Sequence, residues 1–315
     1  MGPGSDLSPG YGKRRVLGEF LLLMVAVSWG ASFVAVKYVL GWLGPLTFLW
    51  LRFVASFVLL TALFPSRILR AKWSTIKAGA IIGFFLGIAY MPQTIAMQLT
   101  SVNMVAFLTG LYVVFVPMFQ AVLLRKKPGW LSTAGAVTSL VGLGVLCLEP
   151  GGLRFGLGEV LGTLCAVGFA MHIIAVGKFA PSEDPVTIAT LQIGFAGILT
   201  VVVGLFLEPL PGVLPAAPLA CMVYLTVCNV IGAMLVQNWA QQVTEPTRAA
   251  LLLATEPVFA AIASYFILHE AIGLKGFVGD ALIFLGMIMS QVEGFGAAAA
   301  VETSAKSGAK TGADD

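Results

Sequence analysis

The chain has 315 residues and a formal net charge of +3; 58% of its residues are hydrophobic and only 10% charged, against about 25% charged in an ordinary globular protein. So few charges cannot cover a water-facing surface, and a mean hydropathy of +0.96 places most of the chain against lipid or other apolar helices. The basic residues fall in short clusters between apolar runs, a pattern of membrane orientation that excludes a nucleic-acid stripe, so no nucleic-acid partner is expected.

Residues 1–16 are polar, with basic residues only at Lys13, Arg14 and Arg15, and read as a cytoplasmic amino-terminal segment. The first apolar run starts near Glu19 and is too long for the core of a cleavable signal, and Asp6 breaks the myristoylation pattern. Runs long enough to cross about 30 Å of hydrocarbon then fall at 19–40, 46–64, 77–98, 103–124, 129–148, 157–178, 186–207, 217–239, 247–268 and 275–294. Gly44-Pro45, Pro65-Ser66, Lys127-Pro128, Pro181, Pro185, Glu208-Pro209 and Glu245-Pro246 mark their ends. The runs are continuous and lack the alternation of a membrane β-strand, so helices are expected. Residues 295–315 are small and polar and read as a disordered cytoplasmic tail. Cys147, Cys165, Cys221 and Cys228 sit inside apolar runs without CxxC spacing; neither a disulfide, a metal nor a cofactor is expected.

Orientation follows from Lys and Arg. With the amino terminus inside, fourteen basic residues lie on the inner side, among them Arg67, Arg70, Lys72, Lys77 and Arg125 to Lys127, and three, Lys37, Arg154 and Lys275, on the outer side. Both termini are expected in the cytoplasm, and the protein in the cell (inner) membrane.

The chain also repeats. An offset of 140 aligns 17–38 with 157–178 at eight identities in 22 positions, and an offset of 144 aligns 93–129 with 237–273 at ten in 37. Chance in so apolar a chain gives roughly one in ten. The organisation is then two repeats of five spans, 17–148 and 157–294. An odd number of spans per repeat makes the second copy enter from the opposite side, an inverted topology that secondary transporters use for alternating access. The expected fold is all-α and integral to the membrane, with ten helices in two inverted-topology five-helix repeats.

Four stretches carry a resemblance: WGASFVAVK (29–37), PLTFLWLRF (45–53), TSVNMVAFLTGLYVVFVPMF (100–119) and TEPTRAALLLATEPVFAAIASYFILHEAI (244–272). They resemble the EamA family of the drug/metabolite transporter superfamily over about residues 17–294. The resemblance implies a carrier of small metabolites and does not fix the substrate. Arg125-Lys126 after the fourth span departs from His269-Glu270 after the ninth. The membrane-embedded glutamate of the small four-helix relatives has no counterpart at mid-depth in the first span.

Ionisable groups inside a span cost at least about 2.5–3.5 kcal/mol at the bilayer centre and face cavities or partners. At 1.5 Å per residue, Arg52 lies about 10 Å into the second span and Glu256 about 13 Å into the ninth. Glu256 precedes helix-weakening Pro257 and reads either as a proton- or cation-sensitive switch or as a structural acid. Arg52 reads as an intrahelical strut or a snorkelling residue, with a role in substrate binding or coupling the other reading. Gln93 and Gln98 in the third span, and Gln237, Asn238 and Gln241 in the eighth, either brace helices at about 0.6 kcal/mol each or, with Tyr90, Tyr112, Trp29 and Trp239, line an amphipathic cavity. His172, equivalent to Ser32, and Lys37, at the outer end of the first span, complete the candidate set. Gly135, Gly142, Gly144, Gly279 and Gly286 imply close packing of the fifth and tenth spans.

The expected function is a secondary transporter, an exporter of amino acids or amphipathic organic compounds, proton-linked or facilitative. Its partners are a small-molecule substrate, the lipid bilayer and protons; the assembly expected is a monomer or weak dimer. A non-transporting scaffold or receptor is the alternative. An enzyme is disfavoured because HExxH, GxSxG and phosphate-loop patterns are absent from the sequence.

Overall fold

The computed structural model describes residues 9–123, 130–149, 152–153, 155–269 and 273–289. Arg125 to Lys127, Arg154, Glu270 and the carboxy-terminal tail therefore lie outside the described residues. Helix α1 runs over Pro9–Val39, α2 over Pro45–Leu63, the short α3 over Pro65–Leu69 and α4 over Trp73–Leu99. Next come α5 (Val102–Gly110), α6 (Tyr112–Leu123) and α7 (Trp130–Cys147). A two-residue antiparallel pair, β1 (Leu148–Glu149) and β2 (Gly152–Leu153), precedes α8 (Leu157–Phe179) and α9 (Pro185–Leu207). The eighth apolar run is α10 (Ala216–Tyr224), a π-helical stretch over Leu225–Gly232, and α11 (Ala233–Ala240). The ninth is α12 (Pro246–Leu253), α13 (Glu256–Ala263) and a π turn over Ser264–Leu268. A last helix, α14, covers 274–289.

Eight helical stretches are long and apolar enough to cross a membrane: Lys13–Val39, Pro45–Leu63, Trp73–Leu99, Val102–Leu123, Leu157–Ser182, Pro185–Leu207, Ala216–Ala240 and Pro246–Leu268. The expected fifth and tenth spans are helical but shorter, as α7 and α14. The first helix reaches back to Pro9, well before Glu19, because the basic segment stays helical: Arg15 pairs with Glu19 one turn on, at 3.1 Å. Apolar side chains such as Phe206, Leu207 and Phe266 stand exposed on the outside, as a lipid-facing surface requires.

Two spans break in the same place. The fourth is interrupted at Leu111 and the ninth at Ala254 and Thr255, and Leu111 and Thr255 are equivalent under the offset of 144. In the ninth the cause is Pro257, whose missing N–H leaves the Leu253 carbonyl without its helical donor. The first residues after the breaks, Tyr112 and Glu256, are consequently equivalent.

Close packing rests on small residues. Gly79, Gly83 and Gly87 form one face of α4 at one-turn spacing, and a Cβ added at Gly83 would lie 2.5 Å from the Gln192 carbonyl oxygen of α9. The helices touch backbone to side-chain base, a contact available only to small residues in a membrane. The glycines of α7 and α14 act alike: a Cβ at Gly142 would lie 2.7 Å from the Gly279 oxygen. Gly144, in contrast, has nothing near it.

The contact pattern is nearly unchanged when the halves are exchanged. Helix α4 packs along α8 while its counterparts α10 and α11 pack along α1; α5 and α6 meet α8 while α12 and α13 meet α1; and α2 meets α9. The ends of the bundle are tied by polar groups. At the end carrying Arg67 and Lys77, Glu19 accepts from both Arg15 and Arg248, Arg67 pairs with Asp184 at 2.6 Å, and Gln242 donates to the Ala180 and Glu183 carbonyls. At the other end Glu208 accepts from the Leu46 and Thr47 amides at the start of α2, an N-terminal charge position that the helix dipole favours. There Glu159 also accepts from the Thr100 hydroxyl at 2.9 Å.

Candidate functional site

Between the halves lies a cavity lined by Trp29, Ser32, Phe33, Val36, Phe48, Arg52, Tyr90, Gln93, Thr94, Met97, Thr109, Tyr112, Phe169, His172, Ile173, Asn229, Gln237, Leu253 and Glu256. Twelve of these nineteen residues form six pairs equivalent under the two repeat offsets: Trp29 with Phe169, Ser32 with His172, Phe33 with Ile173, Gln93 with Gln237, Thr109 with Leu253, and Tyr112 with Glu256. Both copies of the repeat therefore contribute the same positions to one wall. The cavity volume is about 30 Å³, room for about two waters.

Arg52, on α2, is 2% exposed. Its guanidinium carbon lies 4.8 Å from the Phe48 ring centre, 5.2 Å from Phe53 and 4.6 Å from Tyr90. Three such faces, at about 0.5–2 kcal/mol apiece, offset part of the cost of holding the cation away from water. No carboxylate pairs with it among the described residues, and its Nε has no hydrogen-bond partner. An unsatisfied donor of this kind costs about 1–3 kcal/mol.

Glu256 opens α13 beside the helix break and is 5% exposed. Gly30 on α1 lets the two backbones meet there: a Cβ at Gly30 would lie 2.5 Å from the Glu256 carbonyl oxygen. Its side chain, like that of Arg52, has no ion-pair partner among the described residues.

The amides divide between bracing and lining. Gln93 donates to Thr109 at 3.1 Å, and Thr109 is in contact with Cys165. Gln237 donates to Gln241 at 3.0 Å while its own carbonyl oxygen has no partner; Gln241 in turn donates to the Ile173 carbonyl. The Tyr112 hydroxyl is likewise buried and unpartnered. His172 is hydrogen-bonded through Nε2 to Gln192 at 3.0 Å, and Gln192 is the equivalent of Arg52. Asn229, on the π-helical stretch, donates to Ser32 at 2.9 Å, and its backbone carbonyl accepts from the Trp29 indole at 3.0 Å.

The structure thus brings together Trp29, Arg52, Gln93, Tyr112, His172, Gln237 and Glu256 of the candidate set. The other five stand elsewhere. Gln98 is exposed on α4. Lys37 donates to the Met97 and Thr100 carbonyls, closing the carbonyl end of α4. Trp239 is half-buried against the core, Asn238 donates to its own helix at Met234, and Gln241 supports Gln237 from behind. Asn229, Ser32 and Thr109 were not singled out from the sequence as lining residues. Ser32 and Thr109 carried one signal there, their equivalence to His172 and Leu253. Among the described residues no group of three or more His, Cys, Asp or Glu side chains is placed to hold a metal.

A bundle of long apolar helices built from two like halves, with a cavity of mixed polar and aromatic lining between them, defines a multi-pass membrane protein. The family model of the EamA-like transporter family matches residues 16–148 and again 156–291. The chain belongs to that family. It is 26% identical over 278 residues to an uncharacterized transporter of Archaeoglobus fulgidus, covering 88% of this chain and 87% of the relative. It is 23% identical to the uncharacterized transporter YoaV of Bacillus subtilis, covering 85% and 94%. A solved crystal structure of a protein matches the fold with TM-score 0.64 at 20% identity, covering 87% of this chain and 96% of that one. The protein is a multi-pass membrane transporter by family.

Proposed function

We propose that the protein is a secondary transporter that exports small metabolites, amino acids or amphipathic organic compounds, across the cell membrane by alternating access. Both termini face the cytoplasm, and ten helices form two inverted repeats. The observation that carries the reading is the cavity lined by six equivalent pairs: a site on the interface of two like halves stays in place while the halves exchange conformations around it. The matched breaks at Leu111 and Thr255 and the exchange-invariant packing support the same arrangement. Helices α7 and α14 form the fifth and tenth spans of the two repeats, packed together through Gly142 and Gly286.

In this cycle Glu256 is the coupling group. It is a titratable side chain in the cavity wall without a fixed ion-pair partner, so a change of hydration between the two conformations changes its hold on a proton. Arg52, caged by rings and always charged, fixes the positive pole of the same cavity. Purified protein in liposomes, loaded in turn with amino acids and organic amines, tests the reading. Saturable uptake stimulated by the same compound on the opposite side is expected, and its absence across the panel would leave a non-transporting scaffold or receptor.

A further inference from the structure

Arg52 is the one cavity residue that is charged at every physiological pH and lacks an anion beside it among the described residues. Its Nε is buried and unbonded, and its planar group is held between Phe48, Phe53 and Tyr90. A strut would spend its five donors on carbonyls or carboxylates of neighbouring helices, as Arg248 does on Glu19 and Arg67 on Asp184. The rings instead fix the plane of the guanidinium, Tyr90 adds a side-chain hydrogen bond, and Nε is left without a partner. The edge of a guanidinium matches a carboxylate, which it binds through two parallel N–H···O bonds. The free space beside it, about 30 Å³, has room for about two waters and so for a small polar head group. Trp29, Phe33, Phe48, Phe169 and Leu253 supply apolar surface for whatever is attached to it.

We infer that Arg52 is a substrate subsite for a carboxylate, and that the transported molecule is a small monocarboxylate with an apolar body. This rests on the reading of the cavity as the transport site. The carboxylate sits on the guanidinium edge and takes up the orphan Nε donor, and the apolar body lies along the aromatic wall. Separation of the halves makes room for that body, since the free space has room for only about two waters.

The test uses the full chain in lipid nanodiscs and in liposomes with three matched probes: isovalerate, isovaleramide and isoamylamine. Binding is read by thermal shift and by competition among the probes, and flux by counterflow. Isovalerate is expected to bind at least tenfold more tightly than the amide or the amine. Arg52→Lys is expected to weaken isovalerate at least tenfold while leaving the other two unchanged, because an ammonium lacks the two-pronged edge. The comparison of probes on the native protein needs no variant, so misfolding of an Arg52 variant does not obscure the outcome. Equal binding of all three probes, no binding of isovalerate up to millimolar concentrations, or an unaltered preference in Arg52→Lys overturns the inference. Counterflow of the amine without the acid leaves the transporter reading standing and removes the subsite. Tight binding of the acid without flux retains the subsite and removes the transporter reading.

Discussion

Replacing Gly83 by alanine probes how closely α4 and α9 approach. The added Cβ would lie 2.5 Å from the Gln192 oxygen, 2.7 Å from the Phe195 Cβ and 3.1 Å from the Gln192 Cα. Carbon and oxygen rest at about 3.3–3.6 Å, so the helices must part by roughly 1 Å. Backbone atoms cannot turn aside as a side-chain end can. A gap of about 0.5–1 Å forfeits a quarter to a half of each dispersion contact along the seam, and overpacking of this kind costs about 1–3 kcal/mol. Alanine also gains up to about 1 kcal/mol over glycine as a helix former, which masks part of the loss. Gly144→Ala carries the same gain with nothing within 4 Å of the new atom, so the difference between the two variants isolates the steric cost. At about 2 °C per kcal/mol for a chain of this size, Gly83→Ala should melt about 2–6 °C below Gly144→Ala in detergent micelles, followed by tryptophan fluorescence. Gly87→Ala, which meets the movable Leu199 Cδ2 at 2.8 Å, should fall between them. Equal melting temperatures for Gly83→Ala and Gly144→Ala would refute the close crossing.

Glu256→Gln should abolish proton-driven accumulation in liposomes while sparing substrate exchange; normal pH-dependent transport in the variant would make Glu256 structural. Thr100→Val removes the hydroxyl bonded to Glu159, whereas Thr244→Val removes its equivalent, which is buried and unbonded beside Gly18. Thiol labelling at the two ends of the bundle should therefore shift in opposite directions for the two variants, and a shift in the same direction contradicts the exchange of halves. Burial alone would raise the Asp184 carboxyl, but bonds from the Thr187 hydroxyl and amide and from Arg67 outweigh it and hold it below the usual carboxylate range. A depressed folded value stabilises above the ordinary value of about 4 and is lost as pH falls through the folded one, so Asp184→Ala should cost about 0.5–2 kcal/mol at neutral pH and progressively less in acid; a pH-independent loss would exclude the charge. A cysteine at Ser66 should resist an impermeant maleimide applied to intact cells while one at Gly212 reacts, and the reverse would invert the orientation.

Long apolar runs made the helices legible, because nothing but a helix satisfies its backbone in lipid over such lengths. Their interruptions were less so. Pro257 marks the break at Thr255, but the equivalent break at Leu111 has no local proline, and the π-helical stretch at Leu225–Gly232 leaves no mark in composition. The site was partly legible through rarity: Arg52, Glu256 and His172 stand out in apolar runs, and all three line the cavity. Gln98 stood among the amides of its span and Lys37 in the WGASFVAVK stretch, yet both lie at helix ends, where polarity is cheap. Asn229 escaped because it stands eight residues before the amides clustered at Gln237 and Asn238, and only the fold brings it to Ser32 and Trp29.

Alternating access is tested most directly by spin-label distances at the two ends of the bundle. Leu99 with Leu157 reports one end and Leu17 with Glu245 the other; all four side chains are exposed. In liposomes with and without a transported compound, the account predicts two populations in each pair, one distance lengthening as the other shortens. A single fixed distance in both pairs, or lengthening of the two together, would contradict it.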